Sequence, residues 1–262
     1  MNLYIATSGH RVGLFSTVLK ALSSLSAIDK LDAKLYFDWN DDLPYLDPEH
    51  GLNVWDYYFL QPFDVSEEEL ESPFQTTPLL GGGTPFYGII RPTEAQLAEG
   101  RMLCKKYIKI QPHILKIVDD FMIENELVKG EYFAMHRRGT DHKMDAPILP
   151  LEDFYREADG LFEKYDKCVL CTDEVHTVDA FTEKYGDKVC TYDAIRSTDD
   201  KGVHTGGFQS QAYKLGEDVM VESLLMANSD FLIKTVSGVS LFSIYYNDTL
   251  EYKDIDLHTQ KG

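Results

Sequence analysis

Residues 131–141 read EYFAMHRRGTD. The first six, EYFAMH (131–136), form a short, mostly apolar run, as expected of a strand buried on both faces. Two arginines, a glycine, a threonine and an aspartate follow at once. The same alternation continues downstream. LEDFYREADGLFEKY (151–165) has helical spacing, KCVLCT (167–172) is an apolar strand, and EVHTVDAFTEKYG (174–186) is helical and stops at a glycine. KVCTYD (188–193) is a strand, and a loop with glycine and histidine spans 197–211. GEDVMVESLLMANS (216–229) is helical, DFLIKT (230–235) a strand and VSLFSIYYN (239–247) a short helix. Strands alternating with helices predict an α/β fold whose parallel sheet is covered on both faces.

Upstream, NLYIA (2–6) reads as a strand, 7–13 as a polar loop, FSTVLKALSSLSAI (15–28) as a helix and AKLYFDW (33–39) as a second strand. This is a nucleotide-fold opening. Residues 40–90 hold prolines, acidic runs, the aromatic cluster NVWDYYFLQPF (53–63) and GGG at 81–83, and predict loops and short elements. Thr93 and Gln96 match a capping box. They open a helical region that Pro112 interrupts and that ends near Leu127. The expected division is an N-terminal domain over 1–128 and a C-terminal domain over 129–262.

The 44 acidic residues outnumber the 25 basic ones, for a formal charge of −19 across 262 residues. Such a field repels polyanions, so nucleic acid and anionic membrane surfaces are not expected partners. No run approaches the roughly 20 apolar residues of a membrane span, and the first residues lack a basic leader. Cys168 and Cys171 have the spacing of a metal or redox pair. They sit in an apolar strand with no second pair, so Cys104, Cys168, Cys171 and Cys190 are expected to be structural.

In an open α/β sheet, ligands bind beyond the carboxyl ends of the strands. Those ends here carry HRRGTD (136–141), then Thr172 and Asp173, then Val236, Ser237, Gly238, Val239 and Ser240. Arginines leaving a buried strand must meet a carboxylate or an anionic ligand, and a guanidinium fork matches phosphate oxygens. A small-residue turn opening a helix offers N–H groups to a phosphate, or serves only as an N-cap. Two readings stay open: an internal Arg138–Asp141 ion pair, or a diphosphate gripped between Arg138 and the 237–240 turn. The second needs no metal, because the guanidinium takes the leaving charge. There is no GxxxxGK[ST] or HExxH, and Asp254-Ile255-Asp256 falls in a C-terminal tail expected to be solvated.

His136-Arg137-Arg138-Gly139-Thr140-Asp141 resembles the H-x-R-x-T-D motif of the GDP-fucose-dependent fucosyltransferases, the superfamily of the α1,6, nodulation and protein O-fucosyltransferases. DAPILPLEDF (145–154), LCTDE (170–174) and ESLLMANSDFLIKTVSGVSLFS (222–243) are similar to its later motifs in order and approximate spacing. The resemblance covers about 131–247 and is thin before that. It implies a GT-B-like fold of two Rossmann-like domains facing across a cleft, each with a parallel sheet. The N-terminal domain would face the acceptor and the C-terminal domain would bind the donor. It implies a metal-independent, inverting transferase that passes L-fucose from GDP-fucose to a glycan hydroxyl, with no cofactor.

By the same resemblance, His136 lies by the guanine or ribose, Arg138 clamps the β-phosphate, and Glu222 stands where relatives carry an Asp that reads the guanine edge. Thr235, Ser237, Gly238, Val239 and Ser240 line the phosphate turn. Thr172, Asp173 and Asp141 border the donor, and Gly9, His10 and Arg11 close over it. Asp145 is the candidate base, assisted by Lys143 or His142. His142 replaces the family's Lys after TD, and Asp145 aligns with its Glu only across a one-residue deletion. A cytoplasmic enzyme of bacterial or viral kind is expected. The alternatives are another donor sugar, such as xylose or rhamnose, and a nucleotide-sugar-binding module without turnover. The aromatic cluster of Trp55, Tyr57, Tyr58, Phe59 and Phe63 reads as packing ahead of sugar stacking.

Overall fold

The computed structural model describes residues 1–8, 12–40, 44–78, 85–86, 91–140, 149–198, 202–203 and 209–255. The chain divides into two compact units, one of 1–114 with 209–217 and one of 115–208 with 218–262. The sequence placed the change of domain at 128/129.

The first unit opens with β1 (Leu3–Thr7), α1 (Leu14–Leu31) and β2 (Lys34–Phe37), as the apolar spacing predicts. Then come α2 (Trp55–Tyr58), β3 (Phe59–Leu60), α3 (Glu67–Glu71) and β4 (Gln75–Pro78). The parallel sheet has the order β2-β1-β4. Strand β4, QTTP, is mostly exposed and polar, so hydropathy gives no sign of it. Helix α4 (Glu94–Tyr107) starts at the expected capping box: the Thr93 hydroxyl accepts from Gln96 N at 3.3 Å, and Gln96 Oε1 accepts from Thr93 N at 2.8 Å. Strand β5 (Lys109–Ile110) pairs antiparallel with β3, and Pro112 begins α5 (Pro112–Glu124) instead of kinking one long helix; from Leu115 onward α5 belongs to the second unit.

The aromatic cluster is packing. Trp55, Tyr58 and Phe59 are fully buried, and Trp55 stacks on Phe37 with centroids 3.9 Å apart. Tyr213 ties segment 209–217 into this unit. Its ring stacks on His50 at 3.6 Å, and its carbonyl accepts from the Tyr58 hydroxyl at 2.8 Å.

The second unit holds β6 (Phe133–Arg137), α6 (Leu151–Leu161), β7 (Cys168–Thr172), α7 (Val175–Tyr185) and β8 (Val189–Cys190). It continues with most of α8 (Ala212–Ala227), then β9 (Phe231–Lys234), α9 (Gly238–Tyr246) and β10 (Glu251–Asp254). Gly186, the anticipated stop of α7, has φ 58°, a left-handed conformation natural to glycine. The five strands run parallel in the order β10-β9-β6-β7-β8. Every residue of β6 and β7 is buried, which explains their apolar sequences. Cys168 and Cys171 lie inside β7, and all four cysteines are free and buried.

One expectation is corrected. Residues 251–254 are not a solvated tail but the edge strand β10, and partly buried Asp254 accepts from buried Lys234 Nζ at 2.8 Å. A lysine inside a buried strand requires such a partner. Asp256 lies outside the described residues.

The α/β class, with a parallel sheet in each unit, is as the sequence predicts. The order of the second sheet fixes where a ligand can enter. From β6 the chain moves outward to β7 and β8, then returns to the other side of β6 for β9 and β10. The connections therefore diverge at β6 and β9, and open α/β sheets bind ligands at the carboxyl ends of strands at such a point.

This sheet is the stabilising centre of the second unit. Leu170, fully buried at the middle of β7, packs in its core cluster. Leu170→Ala should cost about 2–5 kcal/mol. Urea unfolding should show a lower midpoint, and a midpoint equal to wild type would contradict the burial.

Candidate functional site

The switch point brings together two segments the sequence singled out. Arg138 follows β6, Thr235 follows β9, and Arg138 N donates to Thr235 Oγ1 at 3.4 Å. The parallel register makes this necessary: His136 pairs with Lys234, and Thr235 N donates to His136 O at 3.2 Å.

The two arginines have different surroundings. Arg137 is sealed, with 6% of its side chain exposed. It pairs with buried Glu174, donates to Thr177 Oγ1 at 2.8 Å, and reaches Leu149 O at 3.3 Å. Arg138 keeps 22% of its side chain exposed and pairs with Asp173 Oδ2 at 3.1 Å. Asp173 is the hub of this turn, because its carboxylate also accepts from Gly139 N at 2.9 Å and from the Thr140 hydroxyl at 2.7 Å. Burial alone would raise the Asp173 carboxyl, but Arg138, Thr140 and the Gly139 N–H outweigh it and hold it below its ordinary range. Gly139 is needed for space: a Cβ there would overlap the Glu174 carboxylate.

Past the end of β9, the Ser237 hydroxyl accepts from Val239 N at 3.3 Å and caps α9. Ser240 is fully buried, and its hydroxyl donates to Ser237 O at 3.2 Å and Thr235 O at 3.4 Å. Ser237, Gly238 and Val239 are therefore the partly exposed part of the turn. His136, Thr172 and Glu222 are buried. Gly9, His10, Arg11, Asp141, His142, Lys143 and Asp145 lie outside the described residues.

Sequence reasoning missed Arg196. It donates to Glu222 Oε1 at 3.0 Å, with 9% and 10% of the two side chains exposed. Applying the strand-end rule to β8 as well would have reached it. Burial, aided by the Asp218 and Asp173 charges and opposed by Arg196, pushes the Glu222 carboxyl up to about 8. Among the described residues, no group of three or more His, Cys, Asp or Glu could hold a metal ion, and no helix is long and apolar enough to cross a membrane.

An open parallel sheet with an arginine and a helix N-terminus meeting at its switch point defines a class of anion-binding α/β folds. Solved structures narrow it. The fucosyltransferase NodZ from Bradyrhizobium shares the fold at TM-score 0.62 and 14% identity, over 98% of this chain and 96% of that one. NodZ α1,6-fucosyltransferase soaked with GDP-fucose gives 0.62 and 14%, over 100% and 97%. POFUT1 in complex with GDP gives 0.59 and 12%, over 96% and 98%. At this identity the likeness establishes the fold. No family model and no curated protein sequence matches the chain.

Glu222 gives a pH signature. Its ordinary value is 4.5 and its folded value about 8, so the folded chain retains a proton that the unfolded chain releases between them. The corresponding stability is complete below pH 4.5 and is lost as pH rises through about 8. In thermal unfolding at a series of pH values, wild-type stability relative to Glu222→Gln should decline across that window. A constant difference would contradict the assignment.

Proposed function

We propose that the chain is an inverting glycosyltransferase that passes L-fucose from GDP-fucose to a glycan hydroxyl, without a divalent ion. The observation that carries this reading is Arg138, partly exposed and held at the switch point beside the N-terminus of α9. Shared fold with fucosyltransferases, one soaked with GDP-fucose and one in complex with GDP, supports the donor.

In the proposed reaction, the acceptor oxygen attacks the anomeric carbon on the face opposite GDP. The new glycosidic C–O bond forms as the anomeric bond to the β-phosphate oxygen breaks, and its electron pair leaves with GDP. Arg138 and the N–H groups of the 237–239 turn receive the developing charge. Asp145, with Lys143 or His142 assisting, takes the acceptor proton. Glu222 and His136 would face the nucleoside, and Gly9, His10, Arg11 and Asp141 would complete the donor site. The proposed domain roles are acceptor binding over 1–128 and donor binding over 129–262. The alternative donors, UDP-xylose and rhamnose nucleotides, are outcomes of the test below.

Arg138→Ala should lower kcat by about 100- to 1000-fold, the range for losing a donor aimed at transition-state charge. Arg138→Lys should recover little, since a point charge lacks the planar fork. Turnover is read by nucleotide release from a panel of GDP- and UDP-sugars, with circular dichroism confirming the fold. Release from UDP-sugars alone would overturn the fucose reading. Nucleotide binding with no turnover of any donor would leave a binding module.

A further inference from the structure

Arg196 has its hydrogen-bonding geometry fixed. Its guanidinium donates to four oxygens: Thr172 O at 3.1 Å from Nε, Ala194 O at 3.1 Å from Nη1, and Tyr192 O at 2.7 Å and Glu222 Oε1 at 3.0 Å from Nη2. The backbone around it is fastened as well. Ser197 N donates to Asp173 O at 2.8 Å, Val175 N donates to Ser197 O at 3.0 Å, and Ile195 N donates to Asp218 Oδ2 at 2.8 Å. Arg196 thus joins the end of β7, the 192–196 segment and helix α8 through one planar group.

Stability is a poor explanation for this arrangement. Desolvation offsets much of the attraction in a buried ion pair, and Asp218 and Asp173 add like charge around Glu222. With Oε1 held by Arg196, Oε2 receives no hydrogen bond from the described residues. The site has a carboxyl whose orientation is set by an arginine and which still has accepting capacity.

We propose that Arg196 is a positioning residue for the donor base: by fixing Glu222 Oε1 it turns Oε2 to accept from the 2-amino group of guanine. The inference rests on the GDP-donor reading and adds a specificity determinant to it. Uracil has no such amino group, and hypoxanthine is guanine without it.

The test is calorimetric titration of the whole chain with GDP, IDP and UDP at about pH 9, above the folded value of about 8, where Glu222 is a carboxylate. Wild type should bind GDP at least about tenfold tighter than IDP, the scale of a hydrogen bond to a charged group. Arg196→Met should bring the two within about twofold, and Arg196→Lys should restore part of the difference. In turnover, Arg196→Met should raise the donor KM more than it lowers kcat. Glu222→Gln keeps an oxygen for Arg196 but turns an amide donor toward the base, so it too should lose the preference. It supplies the answer if Arg196→Met does not fold. Full GDP-over-IDP preference in either folded variant would overturn the inference, as would a wild type that prefers GDP to UDP but binds IDP as tightly as GDP. Wild type binding UDP as tightly as GDP would overturn the donor reading itself.

Discussion

The carboxylate of Asp173 fixes the geometry of the site. It stands just past the end of β7, beside the end of β6, where it meets Arg138, the Gly139 N–H and the Thr140 hydroxyl at once. A carboxylate so placed folds the 138–140 turn over the strand end and sets the direction of the guanidinium. Because hydrogen bonds and the guanidinium hold its charge in place despite burial, the turn is ordered before a ligand arrives. Ordering in advance matters for a charge-stabilising group, since a preorganised dipole or cation needs no rearrangement as the reaction proceeds.

Thr172, Asp173 and Glu174 together form a connected device. Each serves a different arginine: the Thr172 carbonyl takes Arg196, Asp173 takes Arg138 and Glu174 takes Arg137. The outcomes differ by burial. Arg137 is enclosed and acts as scaffold, and its partner Glu174 fills the space that Gly139 leaves open. Arg138 remains partly exposed beside Asp173. Arg196 turns to Glu222 on helix α8. In a chain with net charge −19, each of these three cations is matched by a neighbouring carboxylate: Glu174, Asp173 and Glu222.

Much of this was legible because buried parallel strands write themselves plainly. EYFAMH, KCVLCT and DFLIKT are apolar because both faces are covered, and the chemistry follows their carboxyl ends in the sequence. What escaped reading depends on contacts distant in sequence. The Asp173–Arg138 pairing was missed because register between β6 and β7 brings it about, and the pairing with Asp141 that the sequence suggested lies outside the described residues. Strand β10 was taken for tail because its sequence, EYKD, is charged, although the lysine within DFLIKT already called for an acidic partner. The return of 209–217 to the first unit rests on Tyr213 stacking on His50, which no local pattern announces. The Ser240 hydroxyl, singled out from its place in the turn, has partners inside the turn that no local pattern announces.

The central claim is that Arg138 grips the terminal phosphate of a nucleoside diphosphate. Comparing GDP with GMP binding, in wild type and in Arg138→Ala, isolates that contact from the base, the ribose and the first phosphate. Wild type should favour GDP over GMP by about tenfold or more, as a charge-assisted contact implies, and the variant should bind both alike. A variant that folds normally and keeps the full GDP preference would contradict the account.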